Sequence, residues 1–338
     1  MLVVNVKGMY TSAGALIHGF QTFRPQSGIR GVIFNGATPM LYAGLKQIAH
    51  NAGVIPLGFI PHDASLTIES RHLGLVTAGE IADLQKKLDA LASLAEQSID
   101  LDQILLLAAQ APRLSAAKPV AKQEARVRIA VALDEAFCFL YQENLALLSA
   151  LGAELCFFSP VHDAALPEQI QGLYLPGGYP ELYAAALSAN CSMLSSVKSA
   201  VERGLPTIAE CGGFLYLHDS LDSQPMVGII HSKAYKTNKL QRFGYVTLTA
   251  QSSNLLCNAG EGIRAHEFHY YESDLPGSDF LAEKPNASRQ YACVHATESL
   301  YAGFPHLYFP ANPAFANNFI RKAFEYAARC HSSLDSAD

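Results

Sequence analysis

The sequence predicts an α/β protein of two domains, on three observations. Short apolar runs bounded by turn residues alternate with stretches of helical period, the pattern of βαβ units in a parallel sheet. The alternation occurs twice, on either side of APRLSAAKPVAKQEAR (111–126), an Ala-, Pro- and Lys-rich stretch without apolar periodicity that reads as an interdomain linker. The chain also has 338 residues, half of them apolar, which is long for one core.

Taken in order, MLVVNV is an apolar strand with no lead-in, and TSAGALIHGFQTF follows with helical period. Opening inside a strand is the expectation for an incomplete first domain. GVIFN (31–35) reads as a strand, PMLYAGLKQIAHNAG (39–53) as a helix and VIPLGFIP (54–61) as a further strand. A loop, ESRHLGLVTAGE (69–80), leads into a long helical stretch from about Ile81 to Gln110. The second series runs VRIAVAL (127–133), the helix ENLALLSALGA, the strands ELCFFSP and GLYLP, a long helix from Glu181, and the strand PTIAE (206–210). Several strands between 226 and 309 predict a mixed or antiparallel portion. ANPAFANNFIRKAFEYAARC makes the last helix, and the polar tail HSSLDSAD is expected to fray.

A net charge of −6, a pI near 6.0 and the lack of a basic stripe exclude a general nucleic-acid binder, which needs clustered Lys and Arg. Apolar runs such as ILLLAAQA (104–111) are too short to span a bilayer. The N-terminus lacks a signal peptide's basic start and cleavage site. The expected compartment is the cytoplasm, with no membrane partner. Seven cysteines stand singly, without CxxC pairs, which suits neither a zinc ribbon nor a disulfide framework. Most are expected to be small buried hydrophobes.

Cys211 ends the run PTIAE and is followed by Gly212, Gly213 and the apolar FLYL. A nucleophile raised on a strand–helix turn needs small neighbours, because its own backbone is strained. The helix N-terminus behind it is expected to lower the thiol pKa and to offer N–H groups to an oxyanion. A core thiol before a Gly-Gly turn fits the same residues, and both readings stay open at this point. LPGGYPEL (175–182) also follows a strand. By itself it reads as an ordinary strand-to-helix loop; its two glycines can also turn N–H groups into a cleft, a reading that gains from the Cys211 turn because parallel strands point their C-terminal ends at one crevice.

A thiol nucleophile needs a base, usually His. AHEFHYYE (265–272) and FPHLYF (304–309) supply candidates. In the first, a strand puts His266 and His269 on opposite faces and Glu267 with His269, a poor shared metal site, so no metal ligands are assigned. In the second, His306 has apolar flanks and fits a core histidine as well as a base. No G-x-x-x-x-G-K-[ST] phosphate loop occurs in the sequence.

Together, ESRHLGL, LPGGYPEL, AECGGFLYL and AHEFHY, in this order, resemble the cobyrinic acid a,c-diamide synthases, with counterparts from about Leu2 to Arg329. These are glutamine-dependent, ATP-using amidases of the corrin ring. The resemblance implies part of a P-loop-type parallel-sheet synthetase domain over 1–98 and a helix and linker over 99–125. It then implies a class I glutamine amidotransferase domain of flavodoxin-like α/β fold over 126–331, and a disordered tail over 332–338.

By the same resemblance Cys211 matches the nucleophile, and His306 in GFPHLYF matches the base of a closing S-Y-x-H-L-H-F segment. Gly303, Pro305 and Tyr308 depart from that segment. Tyr308 stands where ordinary triad amidotransferases carry Glu, implying a dyad or an imidazole oriented by another group. Gly177, Gly178 and Gly212 are implied in oxyanion and glutamine binding. Asn35 is implied in reading a nucleotide base, its alternative being a strand-ending turn residue. Arg71 and His72 are implied near the synthetase site, their alternative being a solvated loop.

Implied cofactors are ATP and Mg2+, and implied partners are glutamine and cobyrinate, with Ni-sirohydrochlorin or hydrogenobyrinate as alternative acceptors. Because the phosphate loop is absent, this chain alone is expected not to complete the synthetase reaction. It reads either as a truncated or wrongly started synthase or as a non-catalytic fragment. A homodimer, or association with a separate P-loop half, is the corresponding expectation for partners.

Overall fold

The structure is a computed structural model that describes residues 1–24, 26–68, 78–115, 123–124, 126–285 and 289–335. The chain divides into two compact units, Met1–Ala117 and Lys118–Asp338.

In the first unit β1 (Leu2–Asn5), β2 (Gly31–Asn35) and β3 (Ile55–Ile60) form a parallel sheet in the order β1-β2-β3. The connections are α1 (Ser12–Thr22) and α2 (Pro39–Asn51). Thr38 caps α2 by accepting from the Leu41 N–H, with Pro39 in the first turn, where its missing N–H costs nothing. Val4, Ile17, Val32, Phe34, Leu45 and Ala49 make the core. The single long helix expected to follow is two, α3 (Leu84–Ser98) and α4 (Leu101–Ala109). Asp100 breaks it: its carboxylate caps the Gln103 N–H at 2.9 Å, and its own N–H donates to Leu57 O at 2.8 Å.

The second unit opens with β4 (Val127–Ala132), α5 (Gln142–Ala150), β5 (Ala153–Phe158) and β6 (Gly172–Leu175). The helix expected from Glu181 is a 3-10 turn followed by α6 (Ala184–Ala189) and α7 (Cys191–Glu202). Asn190 divides these two and caps the second through Met193 N–H. Next come β7 (Thr207–Glu210), α8 (Gly212–Tyr216), β8 (His218–Leu221), β9 (Gln224–Pro225), β10 (Ile230–Lys236), β11 (Arg242–Ala250) and β12 (Gly262–His269). The remainder is β13 (Tyr271–Ser273), β14 (Phe280–Glu283), β15 (Gln290–Cys293), β16 (His295–Ala296), β17 (Leu300–Gly303), β18 (His306–Leu307) and α9 (Pro313–Asp335).

Three sheets result. The central one runs β16-β17-β7-β6-β4-β5, parallel except for β16. Its inner strands β4, β6, β7 and β17 are buried on both faces, which is why VRIAVA and GLYL are nearly all apolar. An antiparallel sheet, β15-β14-β11-β12-β18, brings the short strand of His306 beside β12. A small sheet, β13-β10-β8-β9, completes the unit.

None of the seven cysteines forms a disulfide; Cys211, Cys257 and Cys293 are buried, Cys138 and Cys156 half-buried, and Cys191 and Cys330 exposed. The expectation that most are buried therefore fails. Cys156 lies on the sheet's outermost strand, and Cys191 is the first residue of α7. Among the described residues no helix is long and apolar enough to cross a membrane.

Candidate active site

The carboxyl ends of β4, β6, β7 and β17 lie along one edge of the central sheet, and Cys211 stands there immediately after β7. Its backbone has φ 48° and ψ −99°, a left-handed conformation that costs a non-glycine residue about 1–3 kcal/mol. The turn is held from both sides: Cys211 N–H donates to Gly303 O at 2.8 Å, and Gly213 N–H to Pro176 O at 2.9 Å. A Cβ on Gly213 would meet Leu175 O at 2.1 Å, and one on Gly212 would meet Gly178 N at 2.9 Å. Glycine is therefore required for close approach of backbones, as the sequence reading anticipated.

The loop after β6 forms the facing wall. Phe139 N–H donates to Gly177 O at 3.0 Å, and a Cβ on Gly178 would lie 2.0 Å from Ala136 O. Gly178 N–H has no acceptor among the described residues, which leaves it available to an oxyanion. The imidazole of His306 packs on the same loop, since a Cβ on Gly177 would fall 2.3 Å from its Cε1. Cys211–Gly212 and His306 thus border one pair of glycines from two different sheets.

His306 is 8% exposed and makes no side-chain hydrogen bond among the described residues. Tyr308 does not orient it; its ring packs edge-on to Tyr141, with centroids 5.4 Å apart. Gly303, where the resembled segment has Ser, lies against Val294: a Cβ there would meet Cγ2 at 2.7 Å.

Burial pushes the Cys211 thiol up to about 12, with Glu181, Glu210 and Glu267 adding to the rise and the Gly212 N–H opposing it. Burial also pulls His306 down to about 3, helped by His266 and His269. The resting pair is a neutral thiol and a neutral imidazole. The expected lowering of the thiol pKa by the helix N-terminus is overturned, because α8 is five residues long and desolvation outweighs it.

In AHEFHYYE the faces alternate as the strand period requires: Glu267 and His269 are buried and His266 is half-buried on the other face. His269 stacks on Phe304, with centroids 3.8 Å apart, and its Nδ1–H donates to Tyr271 O at 2.6 Å. Among the described residues no group of three His, Cys, Asp or Glu could hold a metal ion.

Residues 128–314, more than half of the chain, match the CobB/CobQ-like glutamine amidotransferase domain. A cobyrinate a,c-diamide synthase of Dehalococcoides mccartyi is 37% identical over 345 residues, covering 95% of this chain and 73% of the relative. The chain belongs to the cobyrinate a,c-diamide synthase family. A second family member, from Caldanaerobacter subterraneus subsp. tengcongensis, is 37% identical over 316 residues, covering 91% of this chain and 70% of its own. Among solved structures, that of PurLQS from Thermotoga maritima aligns over 60% of this chain and 98% of its own, with TM-score 0.42 and 17% identity.

In the first unit, Asn35 lines a cavity of about 460 Å3 at the carboxyl ends of the three strands, with Asn5, Lys7, His62 and Asp63. The residues do not fit a whole ATP–Mg2+: the sequence has no phosphate loop, and among the described residues no group of three His, Cys, Asp or Glu could hold a metal ion. Arg71 and His72 lie outside the described residues.

Sequence reasoning passed over Asn5 and Lys7, although NVK ends a strand just as Asn35 does. It also passed over Glu210, Asn144 and Tyr174, which meet beside His306. The one available signal was Glu210, a carboxylate closing an otherwise apolar central strand.

Proposed function

We propose that the chain works in glutamine-dependent amidation, its second unit hydrolysing glutamine and the ammonia serving the a and c carboxylates of cobyrinate. The observation that best supports this reading is that Gly212, next to Cys211 on its left-handed strand–helix turn, and the His306 ring both pack on Gly177–Gly178. Membership of a family whose relatives bear that name supports the choice of acceptor. Seven cysteines without a disulfide suit a reducing cytoplasm.

In this reading the thiol proton passes to His306 as sulfur attacks the side-chain amide carbon of glutamine. Since burial holds both groups neutral, transfer accompanies attack and does not precede it. The N–H groups of Gly178 and Gly212 stabilise the negative oxygen. Collapse of the tetrahedral species breaks the C–N bond, and His306 returns its proton to the leaving nitrogen as ammonia departs. Neutral His306 then takes a proton from water, which attacks the thioester and releases glutamate with the thiol restored.

The test is glutamate release by the purified chain and by Cys211→Ala. The expected outcome is a fall of at least about 1,000-fold in the variant; unchanged hydrolysis would remove Cys211 from the mechanism.

A further inference from the structure

His306 lies on a two-residue strand and has no hydrogen bond to its ring among the described residues. Something other than a carboxylate on the imidazole must fix its place. The residue beside it is held at both its N–H and its C=O. Leu307 N–H donates to Glu210 Oε1 at 2.9 Å, and Leu307 O accepts from Asn144 Nδ2 at 2.8 Å. Asn144 Oδ1 accepts in turn from Phe309 N–H at 2.8 Å. Tyr174 braces the acid from its other oxygen: its hydroxyl donates to Glu210 Oε2 at 2.9 Å. All three side chains are buried, Glu210 to 1% exposure and Asn144 and Tyr174 to 0%.

Such a network is costly where a buried polar atom is left unpaired, and none of the side-chain oxygens and nitrogens of Glu210, Asn144 and Tyr174 is among the buried atoms without a partner. Its location gives it a use. Glu210 is the last residue of β7, directly before Cys211, and it reaches across to the residue directly after His306. One side chain thus ties the strand that presents the thiol to the strand that presents the imidazole.

We propose that Glu210 is the positioning residue for His306, acting through the Leu307 peptide as one jaw of a buried clamp whose other jaw is Asn144. The clamp takes the place of a carboxylate on the imidazole, which Tyr308 cannot supply. Burial raises the Glu210 carboxyl to about 8, against the two hydrogen bonds it accepts, and Oε1 can accept from Leu307 N–H in either protonation state. The inference rests on the reading of His306 as the base.

The test compares Glu210→Gln, which keeps an acceptor for Leu307 N–H, with Glu210→Met, which keeps the volume and removes the acceptor. Glutamine hydrolysis is measured as kcat and KM, with His306→Ala alongside. A base displaced by about an ångström loses about 100-fold in rate. Glu210→Met is therefore expected to lose about that much in kcat with KM changed by less than about threefold, since no Glu210 oxygen is free for substrate. Glu210→Gln is expected to restore kcat to within about fivefold of the unsubstituted chain, because the acceptor is retained.

Unchanged kcat in a folded Glu210→Met, a loss in Glu210→Gln equal to that in Glu210→Met, or a loss confined to KM overturns the proposal. If Glu210→Met does not fold, Glu210→Gln alone decides: within fivefold supports the clamp, and a larger loss overturns it. Activity surviving in His306→Ala is a different result, and overturns the reading of the base itself.

Discussion

Gly177→Ala probes the glycine wall on which the site is built. Gly177 has no left-handed backbone, so an alanine there meets no conformational penalty. The obstacle is the imidazole alone: the new Cβ would lie 2.3 Å from His306 Cε1, 3.2 Å from Nδ1 and 3.3 Å from Nε2. Carbon atoms in contact sit about 3.5 Å apart, so the ring must retreat by about 1.2 Å. In a packed site such a shift costs about 1–3 kcal/mol, and a displacement of this size lowers kcat by about 100-fold. The assay is a double-mutant cycle with His306→Ala, read as denaturant midpoints. Gly177→Ala should destabilise the parent by about 1–3 kcal/mol and the His306→Ala background by less than about 0.5 kcal/mol. Equal destabilisation in both backgrounds would refute the contact and the packing argument with it.

Two further outcomes follow from the same buried groups. Burial holds His306 at about 3 and His218 and His269 at about 4, below the ordinary 6.5, so their contribution is full above pH 6.5 and is lost as pH falls. Glu210 is held at about 8, above the ordinary 4.5, so its contribution is full below pH 4.5 and is lost as pH rises. Stability should therefore peak near pH 6.5, and the Glu210 share of the decline to pH 8 is about 2 kcal/mol. Urea midpoints across pH 5–8.5 check this, and Glu210→Gln should flatten the alkaline side. Asn144→Ala strands Leu307 O and Phe309 N–H, and should cost about 2–4 kcal/mol in urea unfolding.

Most of the fold is legible in the sequence because each βαβ unit writes its own local pattern. GVIFN and PTIAE stand where the apolar runs put them, to within a residue. The helix breaks at Asp100 and Asn190 were missed because apolar periodicity continues through both, while the capping bonds that end each helix leave no such trace. The site divides in the same way. Gly212 and Gly213 can be read locally as the demands of a tight turn, but Cys211 and His306 could be paired only through resemblance to a family. The clamp could not be read at all. Its bonds join residues 97, 163 and 165 positions apart, and no local pattern announces that Asn144 faces a strand near the far end of the chain. The elevated thiol pKa was also out of reach, because it depends on how completely the loops close over Cys211.

The most direct measurement of the central claim is covalent trapping with a diazoketone analogue of glutamine, followed by peptide mapping of all seven cysteines. A thiol that attacks the glutamine side chain carries the adduct whatever becomes of the ammonia. One adduct is expected, on Cys211, formed at least about tenfold more slowly in His306→Ala, since a general base contributes a hundredfold or more. Labelling of exposed Cys191 or Cys330 in preference to Cys211, or no adduct at all, would contradict it.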